Sequence, residues 1–297
     1  MNVVTGVFSY TGRAIAEELL ARGEPVRTLS RTDAPEDPLR DKVEVAPLRF
    51  DATLMESLSG VQTLYNTYWV RFKRGLVSFD DAVANTIALF EAARKAGVQR
   101  IVHVSVANAD CADDLPYFRG KHQIETWLAA SGLQHAVVRP TLVFGPNDIL
   151  LNNIAWIVRR SPVFVVPGRG DYRLQPVSLR DTARLCVDAE DGATTDAAGP
   201  ETLTFRRLVA LVRDATGSRC GVVSGSRNVG LGLIRVAGLL LRDTVVTRDE
   251  LVGLSRSLLT TAGPPTGADT LREWLAQSGP ELGRNYVSER ARNFIEK

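Results

Sequence analysis

The chain is poor in the residues that build disulfides and metal sites, with three cysteines and three histidines among 297 residues. Cys111, Cys186 and Cys220 lie far apart without a C-x-x-C pair, which disfavours both a disulfide framework and a zinc centre. His103, His122 and His135 have no metal-ligand spacing, so no metal is expected. An excess of one charge is also missing: 36 basic residues face 34 acidic ones along the whole chain. With no basic stripe, nucleic acid is not an expected partner. Long hydrophobic runs are absent too. The longest, Val229 to Leu241, is interrupted by Arg235 and stops at Arg242, short of the ~20 residues a membrane-spanning helix needs. It reads as a packing segment or the contact of a homodimer. The N-terminus leads directly into an apolar strand with no room for a signal segment, so a cytoplasmic location is expected.

What is present is alternation. Short runs rich in Val, Ile and Leu predict strands at Asn2 to Thr5, Pro25 to Leu29, Val43 to Leu48, Gln62 to Tyr65, Arg100 to Ser105 and Gln134 to Arg139. Helical patterns fall between them, at about Thr11 to Arg22, Thr53 to Leu58, Leu76 to Ala96 and Tyr117 to Ala130. Gly23, Gly60, Gly97 and Gly132 follow these helices as C-terminal caps should. Repeated βαβ units predict an α/β fold, a Rossmann-type doubly wound parallel sheet with a smaller C-terminal α/β lobe. The division expected is a dinucleotide-binding core over residues 1–146. Residues 147–297 would then form the lobe that meets a small-molecule substrate, with segments returning to the core. In that lobe short strands are expected at Arg173 to Val177 and Thr202 to Phe205, and a connecting loop at Thr260 to Thr270.

The stretch Thr5 to Arg13 joins an apolar strand to an amphipathic helix through a glycine turn, the order that a nucleotide diphosphate needs. Gly6, Phe8, Ser9, Tyr10, Thr11 and Gly12 are the candidate phosphate-binding residues. Gly6 permits the sharp turn and Gly12 a close approach of the helix, while Ser9 stands where a second glycine is usual. At the end of the second strand an acid would favour NAD, but Ser30 and Arg31 occupy that place. An arginine fork suits a 2'-phosphate, so NADP is expected, with NAD kept as the alternative by Asp33. Asp51 is placed to accept from the adenine amino group or to cap the following helix. Asn66 ends the fourth strand beside the cofactor's path.

Tyr117 and Lys121 lie four apart on one helical face. Such a phenol can pass a hydroxyl proton when a neighbouring ammonium lowers its pKa. Taken together, several ordered motifs resemble the short-chain dehydrogenase/reductase superfamily in its atypical, extended branch. They are Thr5 to Gly12, Arg100 to Ser105, Tyr117 to Lys121, Val138-Arg139-Pro140 to Phe144-Gly145-Pro146, and Arg173 to Ser178 followed by Asp181. The likeness within that branch is to NmrA-like proteins, nucleoside-diphosphate-sugar epimerase-like proteins and the accessory subunit of respiratory complex I. It implies Tyr117 as general acid/base, Lys121 as ribose and pKa partner, Ser105 as the hydrogen-bonding third member, and Pro140 beside the cofactor.

Two departures follow. Val106 and Ala107 stand where related enzymes often carry Ser or Thr, with Asn108 as a substitute donor. After Asn66, where small residues usually leave space for the nicotinamide, the chain has Thr67-Tyr68-Trp69-Val70-Arg71-Phe72. Those aromatics line a substrate pocket, pack as core, or block the nicotinamide. The leading expectation is an NAD(P)-dependent oxidoreductase or epimerase-like enzyme acting on a secondary alcohol, ketone or sugar-like group. The alternative is a non-catalytic dinucleotide-binding regulator, redox sensor or scaffold subunit.

Overall fold

The computed structural model describes residues 1–70, 78–226 and 247–288, and the chain divides into two compact units. Residues 1–140 and 179–197 form the first, and residues 141–178 and 198–297 the second.

The first unit winds through β1 (Asn2–Thr5), α1 (Tyr10–Ala21), β2 (Val26–Ser30), β3 (Glu44–Pro47), α2 (Leu54–Ser57), β4 (Thr63–Asn66), α3 (Phe79–Lys95), β5 (Arg100–Val104), α4 (Pro116–Ala130) and β6 (Gln134–Pro140). The chain then passes through β7 (Leu142–Phe144), α5 (Ile149–Arg160), β8 (Val163–Pro167), β9 (Arg173–Leu174) and β10 (Pro176–Ser178) of the second unit. It returns to the first for α6 (Leu179–Val187) and β11 (Thr194–Ala197). The last described elements are β12 (Leu203–Thr204), α7 (Phe205–Ala215), β13 (Gly221–Gly225), α8 (Arg248–Ser255) and α9 (Leu271–Ser278).

Seven parallel strands in the order β11-β6-β5-β4-β1-β2-β3 make a doubly wound Rossmann sheet. The six strands expected from sequence are all in it, and β11 is an edge strand beside β6 that sequence did not predict. The winding reverses between β1 and β4, so a crevice opens at the carboxyl ends of those two strands. The core beneath it joins Leu64 and Ile101 of the sheet to Leu89 and Phe90 of α3 and Ile124 and Leu128 of α4. Burying each such side chain is worth roughly 1.5–3 kcal/mol.

Local signals set the helix starts. Ser78 and Asp81 form a reciprocal capping box ahead of α3, and Pro116 takes the first position of α4, where its missing N–H leaves nothing unpaired. Residues 71–77, where part of the expected third helix fell, and the apolar stretch at 229–241 lie outside the described residues.

The second unit has its own core, in which Phe144, Leu151 and Ile154 meet Leu208, Val212, Leu271 and Leu275. Its strands pair two by two: β7 with β10 and β8 with β13 in parallel, and β9 with β12 antiparallel.

Candidate functional site

At the end of β1 the backbone of Gly6 turns at a left-handed φ of 70°, which an L side chain rarely adopts. Gly6 N donates to Leu29 O at 2.9 Å and Val7 N to Thr28 Oγ1 at 3.1 Å, so the turn is pinned to β2. A Cβ on Gly12 would lie 2.2 Å from Gly6 O, so α1 seats against the turn only with glycine there. Ser9 occupies the N-cap position of α1 with extended backbone, yet its side chain does not cap the helix. Its hydroxyl instead donates to Gly6 O at 2.5 Å. The first turn of α1 therefore keeps a positive end that no side chain of its own covers, aimed at the switch point. A glycine turn followed by an uncapped helix start suits a nucleotide diphosphate, and the serine that departs from the glycine pattern folds back onto Gly6 O.

Around the loop after β2, two arginines pair with two aspartates and a third stands apart. Arg40 Nε lies 2.8 Å from Asp33 Oδ1. Arg13 pairs with Asp37, whose other oxygen accepts from Leu39 N at 3.0 Å. Arg31 is exposed and makes no ion pair among the described residues, while Ser30 Oγ is occupied by Thr32 N at 3.1 Å. Farther along, Asp51 Oδ1 accepts from both the N–H and the hydroxyl of Thr53, at 2.9 and 2.6 Å. These bonds hold its carboxyl below the usual range and make it the turn that opens α2.

Tyr117 and Lys121 do lie one turn apart on α4, but Lys121 is only 3% exposed. Its Nζ donates to Val104 O at 2.7 Å and stands 4.6 Å from the centre of the Trp69 ring. Tyr117 meets Trp69 edge-on at 5.8 Å and Phe79 at 6.0 Å. Burial pushes the Lys121 ammonium down to about 7, partly opposed by Glu125. That carboxylate is itself held by Arg139, at 2.5 Å through Nη2 and 3.1 Å through Nε.

Trp69 reaches this place because Gly120 has no side chain: a Cβ there would lie 2.8 Å from Trp69 Cη2. The segment leading to it is fastened to β1. Thr67 N and Tyr68 N donate to Thr5 Oγ1 at 2.7 and 3.0 Å, and Thr67 Oγ1 donates to Thr5 O at 2.5 Å. Tyr68 and Trp69 both pack against the core cluster.

Asn66 is fully buried, accepting from Tyr68 N at 3.2 Å and facing His103 Nδ1 through Nδ2 at 3.0 Å. The donation from the amide assigns the imidazole proton to Nε2. Burial, reinforced by the charge of Lys121, holds His103 well below its ordinary value. Ser105 is 6% exposed, and its Oγ is buried with no hydrogen-bond partner among the described residues. Pro140, at the end of β6, accepts from Ala107 N at 2.9 Å.

The structure thus brings Lys121, Tyr117 and Trp69 together at α4, with Asn66 joined to the same strand ends. Arg31 and Asp51 are separate features of the loops that follow β2 and β3. Sequence reasoning missed the Trp69–Gly120 fit and the Glu125–Arg139 pair. The second had a signal, an acid one turn beyond Lys121 and an arginine in the R-P motif.

The second unit contains a cavity of about 340 Å³ lined by Pro167, Gly168, Arg169, Asp171, Tyr172, Leu251 and Ser255, none of them a candidate from sequence. Among the described residues no cluster of His, Cys, Asp or Glu could hold a metal ion. No described helix is long and apolar enough to cross a membrane.

A doubly wound sheet with this glycine turn at its switch point defines a dinucleotide-binding Rossmann protein. Residues 8–148 match the model of a family described as NAD(P)H-binding. The chain thus carries an NAD(P)H-binding domain over those residues. It is 30% identical over 214 residues to an uncharacterized protein of Mycobacterium tuberculosis, covering 70% of this chain and 22% of that one. Over 228 residues it is 25% identical to the mitochondrial NADH dehydrogenase [ubiquinone] 1 alpha subcomplex subunit 9 of Arabidopsis thaliana, covering 71% of this chain and 56% of that protein. The chain therefore spans from about a fifth to just over half of the length of these relatives. Among solved structures it resembles an NADPH-dependent quinone oxidoreductase of Escherichia coli complexed with NADPH. There the TM-score is 0.74 at 23% identity, with 93% of this chain and 99% of that one covered.

Proposed function

We propose that this protein holds NADP(H), with the diphosphate on the turn from Gly6 to Gly12 and Arg31 on the 2'-phosphate, and that binding rather than turnover is its resident activity. The observation that carries this reading is the burial of Lys121 beneath Trp69, with its ammonium donating to Val104 O. Proton transfer by Tyr117 needs a lysine that is charged and reaches the nicotinamide ribose. Burial lowers the amine to about 7, which weakens its hold on a proton at neutral pH, and the Trp69 ring stacks over it at 4.6 Å. The likeness to a complex I subunit supports the same side.

A second reading, an NADP-dependent reductase or epimerase-like enzyme, is favoured by the buried Ser105 hydroxyl, which has no partner among the described residues. In that reading a bound nicotinamide would supply the hydride chemistry, Tyr117 would pass the proton, and Trp69 would have to leave Lys121.

Titration of the chain with NADPH and NADH, followed by cofactor oxidation with carbonyl and quinone substrates, separates the two. The expected result is NADPH binding that survives Tyr117→Phe, a preference for NADPH that falls roughly 10- to 100-fold in Arg31→Ala, and no turnover. Turnover that disappears in Tyr117→Phe would establish the enzyme instead. Failure of both cofactors to bind would overturn both readings.

A further inference from the structure

Asp33 is the first carboxylate after β2 and lies two residues beyond Arg31, close to where an acid takes the ribose hydroxyls of NAD. It does not stand alone there. Arg40, in the short helical turn Arg40–Lys42 ahead of β3, holds it at 2.8 Å. Between the two, Ala34 takes a left-handed φ of 45° and its carbonyl accepts from Asp37 N at 3.0 Å, which curls the loop back toward Arg40. Asp37 is in turn paired with Arg13. Asp33 and Asp37 therefore each have an arginine, and Arg31 is left as the guanidinium with no ion pair among the described residues.

We propose that Arg40 sets the choice of dinucleotide by acting through Asp33. The pair withdraws the acceptor that ribose hydroxyls of NADH would use. It also cancels a negative charge that would repel a 2'-phosphate approaching Arg31. Arg40 is thus a specificity-determining residue that works through a neighbour without touching the cofactor. The inference rests on the reading that the dinucleotide binds at the Gly6–Gly12 turn with its adenosine end beside Arg31.

Both partners are substantially exposed, with side-chain accessibilities of 63% for Asp33 and 33% for Arg40, so the effect is modest and sensitive to salt. The test is a double-mutant cycle on the full chain: dissociation constants for NADH and NADPH at low ionic strength in wild type, Arg40→Ala, Asp33→Asn and the double variant. Arg40→Ala is expected to tighten NADH about threefold and to weaken NADPH, and Arg40→Lys to restore the original preference. In the Asp33→Asn background the same change at Arg40 leaves NADH affinity where it was. If Arg40→Ala scales both cofactors alike, or still tightens NADH without Asp33, Arg40 does not act through the carboxylate and the inference falls. If wild type binds neither cofactor, the underlying reading of the site falls instead.

Discussion

Lys121 and His103 are bases that the fold keeps from water, and both make stability depend on pH. The lysine titrates at about 7 in the folded chain against an ordinary 10.5. Between those values the unfolded chain binds the extra proton, so stability rises as pH goes from about 7 toward 10.5. The imidazole of His103 is held well below 6.5, so the unfolded chain alone takes up its proton in acid and stability falls as pH drops below 6.5. Thermal midpoints measured across this range should rise on the alkaline side and fall on the acid side. Lys121→Met should flatten the first limb and His103→Gln the second. Trp69→Ala should let water reach the amine and move its titration upward from about 7, a shift that pH-dependent amine labelling read by mass spectrometry would detect. Unchanged labelling would mean that Trp69 is not what shields Lys121.

At the level of elements, two glycines decide how helices approach. In Gly12→Ala the new methyl would meet the Gly6 carbonyl, a backbone atom that moves only with β1, so α1 must back away. NADPH affinity is expected to fall more than tenfold and the thermal midpoint to drop by several degrees, as for strain of a few kcal/mol. Gly120→Ala meets the far end of Trp69 and Val83 Cγ2, which are side chains and can move. The expected outcome there is a displaced Trp69, read as red-shifted tryptophan emission together with increased labelling of Lys121.

The same comparison of local with distant contacts explains what sequence revealed. Gly23, Gly60, Gly97 and Gly132 take left-handed φ, between 70° and 79°, as caps read from sequence require, because a cap is a local event. Asp51 reads as an adenine acceptor or a helix cap, whereas Thr53 is the N-cap and Asp51 binds it from two residues before. The edge strand Thr194–Ala197 was not visible, since its sequence TTDA has neither alternation nor an apolar run. Neither was the cover on Lys121, which needs Trp69 after β4, Gly120 on α4 and Phe79 on α3 to meet in space. Ser9 read as a missing glycine, and only its bond to Gly6 O indicates why the turn tolerates it.

Considered as a whole, the chain interleaves its two units. The first is not complete at β6: α6 packs on α1, Arg22 meets Asp188 at 2.5 Å, Arg100 meets Asp191 at 2.5 Å, and β11 closes the edge of β6. A chain ended at residue 146 lacks all four. It is expected to expose an unpaired strand, to aggregate on heating, and to lose cooperative unfolding. Thermal unfolding with light scattering checks this, and a transition as sharp as that of the full chain would show the returning segment to be dispensable.

The excursion between β6 and α6 has a consequence for birth of the protein on the ribosome. Domains generally fold as their residues emerge, N-terminal portion first. Here the sheet's last strand is still unsynthesised when β6 appears, and residues 141–178 emerge before the segment 179–197 that completes the first unit. Neither unit has its full membership until translation has passed Ala197, so the nascent chain spends that interval with an open sheet edge in the crowded space outside the exit tunnel. Slow codons or a bound chaperone would matter most over that one interval.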